Sequence, residues 1–221
     1  MEKQLSGWSR NKFFKCKTFE PKNLIELQKL KIKKIITRGM GRSYGDSSIQ
    51  KKSTLVTKNI NKVINLDLKK KIIEVEAGIS INDLLKILIP NNLFLPVTPG
   101  SKHISIGGMV ASDVHGKNHH QKGSFRHHIL ELKIVDEKGK LLKCSKKNNR
   151  NLFNYSIGGM GLTGTIYSCK FKLIAINSDQ IFQEKIKTFN LKETIKKLRE
   201  SNNWEYNVGW IDSSGDNQRL G

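Results

Sequence analysis

Three segments of the chain hold residues whose types and spacing could do chemistry. The first is RGMGRSYGD, from Arg38 to Asp46, with glycines at 39, 41 and 45. Glycine adopts positive φ without steric cost, so such a run can turn tightly and aim consecutive backbone N–H groups at one point. A nest of that kind binds a pyrophosphate; a plain tight turn would use the same residues. The Rossmann pattern G-x-G-x-x-G fails on spacing. The third glycine is one residue late, and Gln50 to Ser53 show no apolar helical face.

The second segment is Thr98-Pro-Gly100 followed by SIGGMVASDVHGKNHH, Ser105 to His120. Gly107, Gly108, Ala111 and Ser112 are small in succession, which suits backbone lying against a flat ring or a diphosphate. All six histidines fall between His103 and His128, and any one of them could be a surface or packing residue. His115 and His119 have the i, i+4 spacing of a helical zinc motif. Gly116, Asn118 and Gly123 oppose a helix there, and no glutamate follows the first histidine, so no metal is expected. The third segment is GGMGLTG, Gly158 to Gly164. Alone it also reads as a helix stop followed by a turn.

The elements that must position these segments alternate between helix and strand. A helix is expected from Pro21 with Leu24, Ile25, Leu27 and Leu30 on its face. Strands are expected over Lys34 to Thr37, Thr54 to Thr57, Val63 to Leu68 and Lys71 to Glu76. Ser80 caps a helix from Ile81 to Leu88, with Asp83 placed to reach back to it and Pro90 ending it. Glu131 to Val135 and Lys140 to Cys144 flank a hairpin turn at Asp136 to Gly139. Asn151 to Tyr155 reads as a short helix and Thr165 to Ile176 as one long strand. Beyond Asn177, Ile181 to Phe189, Leu191 to Glu200 and Trp204 to Ile211 read as strand, helix and strand, the start of a second domain.

With 221 residues and 37% hydrophobic content, the chain is long enough for a core and for one or two domains. Its net charge of +21 admits a nucleic acid, an anionic surface or an anionic substrate as partner. The lysines are spread throughout, and no basic stripe interleaved with aromatics marks a nucleic-acid module. Compositional bias is the simpler reading. Three scattered cysteines, Cys16, Cys144 and Cys169, suit a reducing compartment. No apolar stretch is long enough to span a bilayer, so a soluble protein, at most peripheral to a membrane, is expected.

Taken together, RGMGRSYGD, TPGSKHISIGGMVASDVHGKNHH, GSF at Gly123 to Phe125 and GGMGLTG resemble the FAD-binding domain of the vanillyl-alcohol-oxidase superfamily, the PCMH-type FAD domain. Within it they are most similar to the decaprenylphosphoryl-ribose oxidase group. The resemblance runs from about Lys34 to Ile176. It implies an α+β fold: a PCMH-type FAD-binding domain of two α/β subdomains over residues 1–176, then an incomplete β-α-β substrate or cap domain over 177–221.

The resemblance also implies roles for residues. Thr37, Arg38, Gly39, Met40, Gly41, Arg42, Ser43, Tyr44, Gly45, Asp46 and Ser47 would wrap the FAD pyrophosphate, with Gly100 against it. Ser105, Ile106, Gly107, Gly108, Ser112, Asp113, Val114 and His115 would follow the ribityl chain and flavin ring, and Ile166 would touch the cofactor through its backbone. His115 and Lys117 would face the substrate and carry the catalytic roles. Many relatives bond the flavin covalently through a histidine where this chain has Tyr44. Tyrosine cannot form that bond, so the FAD would be dissociable.

The implied reaction is oxidation of a sugar hydroxyl to a ketone by hydride transfer to flavin N5, on a sugar or polyprenyl-phosphate sugar. A short-chain reductase partner would complete an epimerisation at the inner, cytoplasmic face of the membrane. The general base and most of the substrate pocket would lie beyond Gly221, making these residues an N-terminal, inactive part. A sugar-lactone or alditol oxidase of the same fold is the alternative, and a basic nucleic-acid-binding protein a more distant one.

Overall fold

The computed structural model describes residues 1–32 and 34–211. Two strands that hydrophobic alternation does not announce open the chain, β1 (Glu2–Leu5) and β2 (Phe14–Phe19). Helix α1 (Leu24–Lys29) follows, with Asn23 rather than Pro21 at its cap: the Asn23 side chain accepts the Glu26 N–H at 2.9 Å. Its inward face is Leu24, Leu27 and Leu30, whereas Ile25 is exposed. Strands β3 (Ile36–Arg38) and β4 (Thr54–Val56) complete a first sheet of order β1-β2-β4-β3. In it β1 is antiparallel to β2, and β2, β4 and β3 run parallel.

The second sheet collects β5 (Val63–Asp67), β6 (Ile72–Glu76), β8 (Ile129–Val135), β9 (Leu141–Ser145) and β10 (Thr165–Lys172). It is antiparallel throughout, in the order β5-β6-β10-β8-β9. Between β6 and β8 lie α2 (Ile81–Leu88), β7 (Leu93–Phe94), α3 (Ile106–Ala111) and the short α4 (His119–Lys122); α5 (Arg150–Ser156) joins β9 to β10. The main core forms where one face of this sheet meets the helices. Ile73, Val75, Leu132 and Phe171 from the strands pack with Leu84, Leu88, Met109, Val110 and Phe153. Phe125 meets Phe171 edge to face, 5.2 Å between ring centroids.

Some local expectations need correction. Ser80 caps α2 by accepting the Asp83 N–H at 3.1 Å, but the Asp83 carboxylate receives the Ser80 hydroxyl at 2.7 Å rather than a backbone N–H. Pro90 does not end the helical path: a 3-10 turn runs over Ile89–Asn91, and Asn92, at φ 54°, stops it. The expected strand from Thr165 to Ile176 breaks after Lys172. The Leu173 N–H turns to the Lys71 carbonyl, and β11 (Ile174–Ala175) leaves the sheet to pair with β7.

After β11 only the helix of the expected β-α-β unit is present, α6 (Leu191–Glu200), capped by Asn190. Ile181 to Phe189 and Trp204 to Ile211 form no strand among the described residues. Alternation is only a capacity for a sheet; a strand also needs a neighbour to take its N–H and C=O groups. Residues 212–221 of the expected second domain lie outside the described residues. Cys16, Cys144 and Cys169 are buried and free, and no described helix is long and apolar enough to cross a membrane.

Candidate functional site

All three glycine runs converge on one crevice between the two sheets. Its walls are Thr37 and Gly39 at the end of β3, Thr57 after β4, and Ala77 after β6. Gly107, Gly108 and Ala111 of α3, and Met160, Gly161, Gly164 and Ile166 from the third run and the start of β10, close it. The sheets are tied across it by the Thr37 and Thr165 hydroxyls, 3.0 Å apart. A β-bulge in β10 between Ile166 and Ser168 sends the Tyr167 carbonyl to the Ala77 N–H at 2.8 Å. That bulge delivers β10 and the end of β6 to the same wall.

Close backbone approach explains the small residues. A Cβ on Gly39 would collide with Ser105 Oγ, and one on Gly107 would stand 2.8 Å from the Ala77 Cβ. Ser105 caps α3 by accepting the Gly108 N–H, while the Gly107 N–H reaches the Ala77 carbonyl at 2.7 Å. The third run is held to the other end of α3: Gly158 and Met160 donate their N–H groups to Val110 and Ala111, both at 2.9 Å. Gly161 turns at φ 78°, and a Cβ there would stand 3.9 Å from the Thr37 side chain across the crevice.

The first loop leaves the crevice wall at Gly39. Gly41 and Gly45 take positive φ, 67° and 56°. The half-buried Arg38 guanidinium braces the loop from within, donating to the Ser6 carbonyl at 2.7 Å and to Ser48 Oγ at 3.1 Å. Ser43 and Ser48 share a hydroxyl hydrogen bond at 2.7 Å. The β1–β2 connection lies over the loop: Trp8 donates to the Ser43 carbonyl, and the Arg42 guanidinium sits over the Trp8 ring, 5.3 Å from its centre. Met40, Tyr44, Gly45, Asp46 and Ser47 are exposed. Gly100 also borders open space, outside the crevice walls.

The segment after α3 divides into structural and accessible residues. Ile106 is fully buried in the core and does not line the crevice; its N–H goes to the Ile79 carbonyl at 3.0 Å. Asp113 sits at φ 43°, and its two carboxylate oxygens accept the Arg126 backbone N–H at 3.0 Å and Nε–H at 2.9 Å. Arg126 also donates to the Ile157 carbonyl at 2.6 Å. Burial alone would raise the Asp113 carboxyl, but the Arg126 bonds prevail and hold it below the ordinary carboxylate range. Ser112, His115 and Lys117 are exposed, and Val114 is half-buried. His115 pairs with Ser124 through an isolated β-bridge and lies edge-on to His119 at 5.2 Å. Among the described residues no cluster of three or more potential ligands could hold a metal ion.

Residues 22–145 match the FAD binding domain family. The chain belongs to that family. The chain is 30% identical over 191 residues to the decaprenylphosphoryl-beta-D-ribose oxidase of Mycolicibacterium smegmatis, covering 85% of this chain and 42% of that protein. It is 26% identical over 157 residues to the L-gulonolactone oxidase of Mus musculus, covering 70% of this chain and 35% of the relative. The chain thus spans less than half the length of either.

The residues present fit a flavin dinucleotide. Five glycines and two alanines make up most of the crevice walls, and a Cβ at Gly39, Gly107 or Gly164 would collide with its neighbours. In the loop that leaves the crevice at Gly39, the buried Arg42 Nε has no hydrogen-bond partner among the described residues, leaving one donor in reserve in a loop suited to an anion. Of the residues expected from sequence, Thr37, Gly39, Gly107, Gly108 and Ile166 line the crevice itself. Thr57 and Ala77 line it unexpectedly. Ala77-Gly78 is a small pair at a strand end, the one local signal that could have marked that wall. Met160, Gly161 and Gly164 belong to the third run but were not assigned individually.

Proposed function

We propose that this chain is the FAD-binding part of an oxidoreductase that oxidises a sugar hydroxyl to a ketone and holds its flavin without a covalent bond. The observation that carries the reading is the convergence of three separate glycine runs on one glycine-rich crevice in a member of the FAD binding domain family. FAD, when bound, supplies the acceptor for the carbinol hydride. The chain's own residues supply position. Thr37 to Ser47 would take the diphosphate, chiefly through backbone N–H groups, and Gly100 would lie beside it. Ser105 to Gly108, Ser112 to His115 and Ile166 would follow the ribityl chain and ring. His115 and Lys117 would orient the sugar hydroxyl from the solvent side.

In this reading residues 1–176 make the FAD domain and 177–221 open a substrate domain. The substrate is a polyprenyl-phosphate sugar, consistent with the name of the Mycolicibacterium relative and with its higher identity than the lactone oxidase. A reductase partner would act on the resulting ketone at the inner membrane face. Tyr44 supports dissociable flavin and counts against a lactone or alditol oxidase that links its flavin through histidine.

Two measurements test the proposal. Acid precipitation of the FAD-loaded protein should leave the flavin in the supernatant; flavin in the pellet contradicts the non-covalent assignment. Anaerobic mixing of the protein, extended to the full length of its relatives, with a polyprenylphosphoryl pentose should bleach the flavin. Bleaching by L-gulonolactone instead would assign the alternative substrate.

A further inference from the structure

A second recess, of about 250 Å³, opens at the far end of the five-stranded sheet. Its walls combine Ile129 and Leu130 with the exposed side chains of His127, Lys146, Lys147 and Lys172. The Lys146–Lys147 pair and Lys172 are distant in sequence and are gathered by strand register. Ile129 at the start of β8 stands opposite Phe171, next to Lys172 at the end of β10, while Glu131 stands opposite Ser145, next to Lys146 beyond β9. No carboxylate lines the recess, and none of the three lysines forms an ion pair among the described residues. The nearest acid along β8, Glu131, is already paired with Lys143 at 2.8 Å. Burial is the main cause that holds the adjacent His128 below its usual range, and the charges of His127, Lys122 and Lys172 act the same way.

We propose that this recess binds a phosphate-bearing anion, a diphosphate or a phosphate headgroup, independently of the flavin crevice. Ile166 in the crevice and Lys172 in the recess lie at opposite ends of β10, roughly 20 Å apart at a rise of about 3.3 Å per residue. One ligand therefore does not fill both. Lysines act as mobile point charges on phosphate oxygens, and the apolar wall excludes water from one side of the anion. A carboxylate-free concave surface with several unpaired cations is complementary to a compact multivalent anion in a way that a flat lysine-rich face is not.

Because the chain carries a charge of +21, the test must separate a built site from diffuse attraction. The FAD-loaded full chain is titrated calorimetrically with inorganic pyrophosphate at about 0.15 M ionic strength, where long-range attraction is screened. The double variant Lys147→Ala/Lys172→Ala should lose affinity by about tenfold or more. The charge-matched variant Lys29→Ala/Lys192→Ala, altered at exposed lysines outside the recess, should stay within about twofold. FAD content should be unchanged in both, which keeps this result separate from the flavin assignment. A parallel arm measures co-sedimentation with vesicles of phosphatidylglycerol and phosphatidylcholine. Loss of co-sedimentation only in the recess variant would identify a lipid headgroup as the source; discrimination with pyrophosphate alone would identify a soluble ligand. Equal losses in both double variants, or no saturable heat with the unaltered protein, would overturn the proposal.

Discussion

Asp113 and Arg126 form a two-point clamp beneath the glycine crevice: the carboxylate accepts both the backbone N–H and the Nε–H of the arginine. The clamp holds Asp113 in a left-handed turn, φ 43°, directly after α3. The side chains are partly solvated, 21% exposed for Asp113 and 37% for Arg126, so screening limits its worth. Asp113→Asn should cost about 1–2 kcal/mol. The Asp113 carboxyl is held below its ordinary range, so its contribution is complete above the unfolded value near 3.9 and is lost as pH falls through the lower folded value. Thermal melts from pH 6 down to about pH 3 should show the gap between wild type and Asp113→Asn closing only at the acid end. A gap that is constant with pH would remove the charge from the argument.

Gly41→Val should abolish FAD binding while leaving the sheets folded. Gly41 turns at φ 67°, and a Cβ there would collide with the Arg38 guanidinium that braces the loop. A β-branched residue at that φ is a true outlier. The loop must reopen, whereas the buried core lies elsewhere. Far-UV circular dichroism should be retained as flavin fluorescence quenching disappears. Full flavin occupancy in the variant would detach this loop from the cofactor.

His115→Ala should slow flavin reduction by substrate on the order of 10²-fold, the scale for losing a group that positions the reacting hydroxyl, with FAD content nearly unchanged. The imidazole is exposed, and the β-bridge to Ser124 fixes its backbone, so truncation removes chemistry rather than packing. Anaerobic stopped-flow on a protein of the relatives' full length reads both quantities. An unaltered reduction rate would reduce His115 to a surface residue.

What could be read from sequence was what depends on near neighbours. Ser80 followed by an apolar stripe marks α2 to the residue, and the turn residues at Asp136 to Gly139 mark their hairpin. The three glycine runs are legible because positive φ and close backbone approach leave few other residues possible. Thr57 and Ala77 were not legible as site residues, because the bulge in β10 and the register of the two sheets place them there. Asp113 shows the converse. It lies within the recognised motif, but its carboxylate is spent on Arg126, a partner 13 positions away that spacing does not reveal. Strand formation at Ile181 to Phe189 failed for a related reason: the pattern encodes a face, not the neighbour the face requires.

The 221-residue chain alone should bind FAD yet fail to turn over. The crevice is assembled wholly from residues up to Ile166, so the cofactor walls are in place. The segment after β11 is different. Phe182 is 82% exposed and Trp210 79%, and Leu191, Ile195 and Leu198 leave the apolar side of α6 exposed as well. Phe182 stacks on Trp204 at 5.9 Å, yet stays 82% exposed itself. Exposed apolar surface on this scale marks a face that packs against more protein. The chain also spans only 42% of the length of the Mycolicibacterium oxidase. If a proton-accepting base and substrate contacts come from that remaining part, their loss costs on the order of 10²–10⁴-fold for the base, and more for positioning. The comparison is substrate-dependent bleaching of this chain against the full-length relative, both loaded with FAD. Bleaching at a comparable rate would place the catalytic groups within these residues, with His115 and Lys117 first in line.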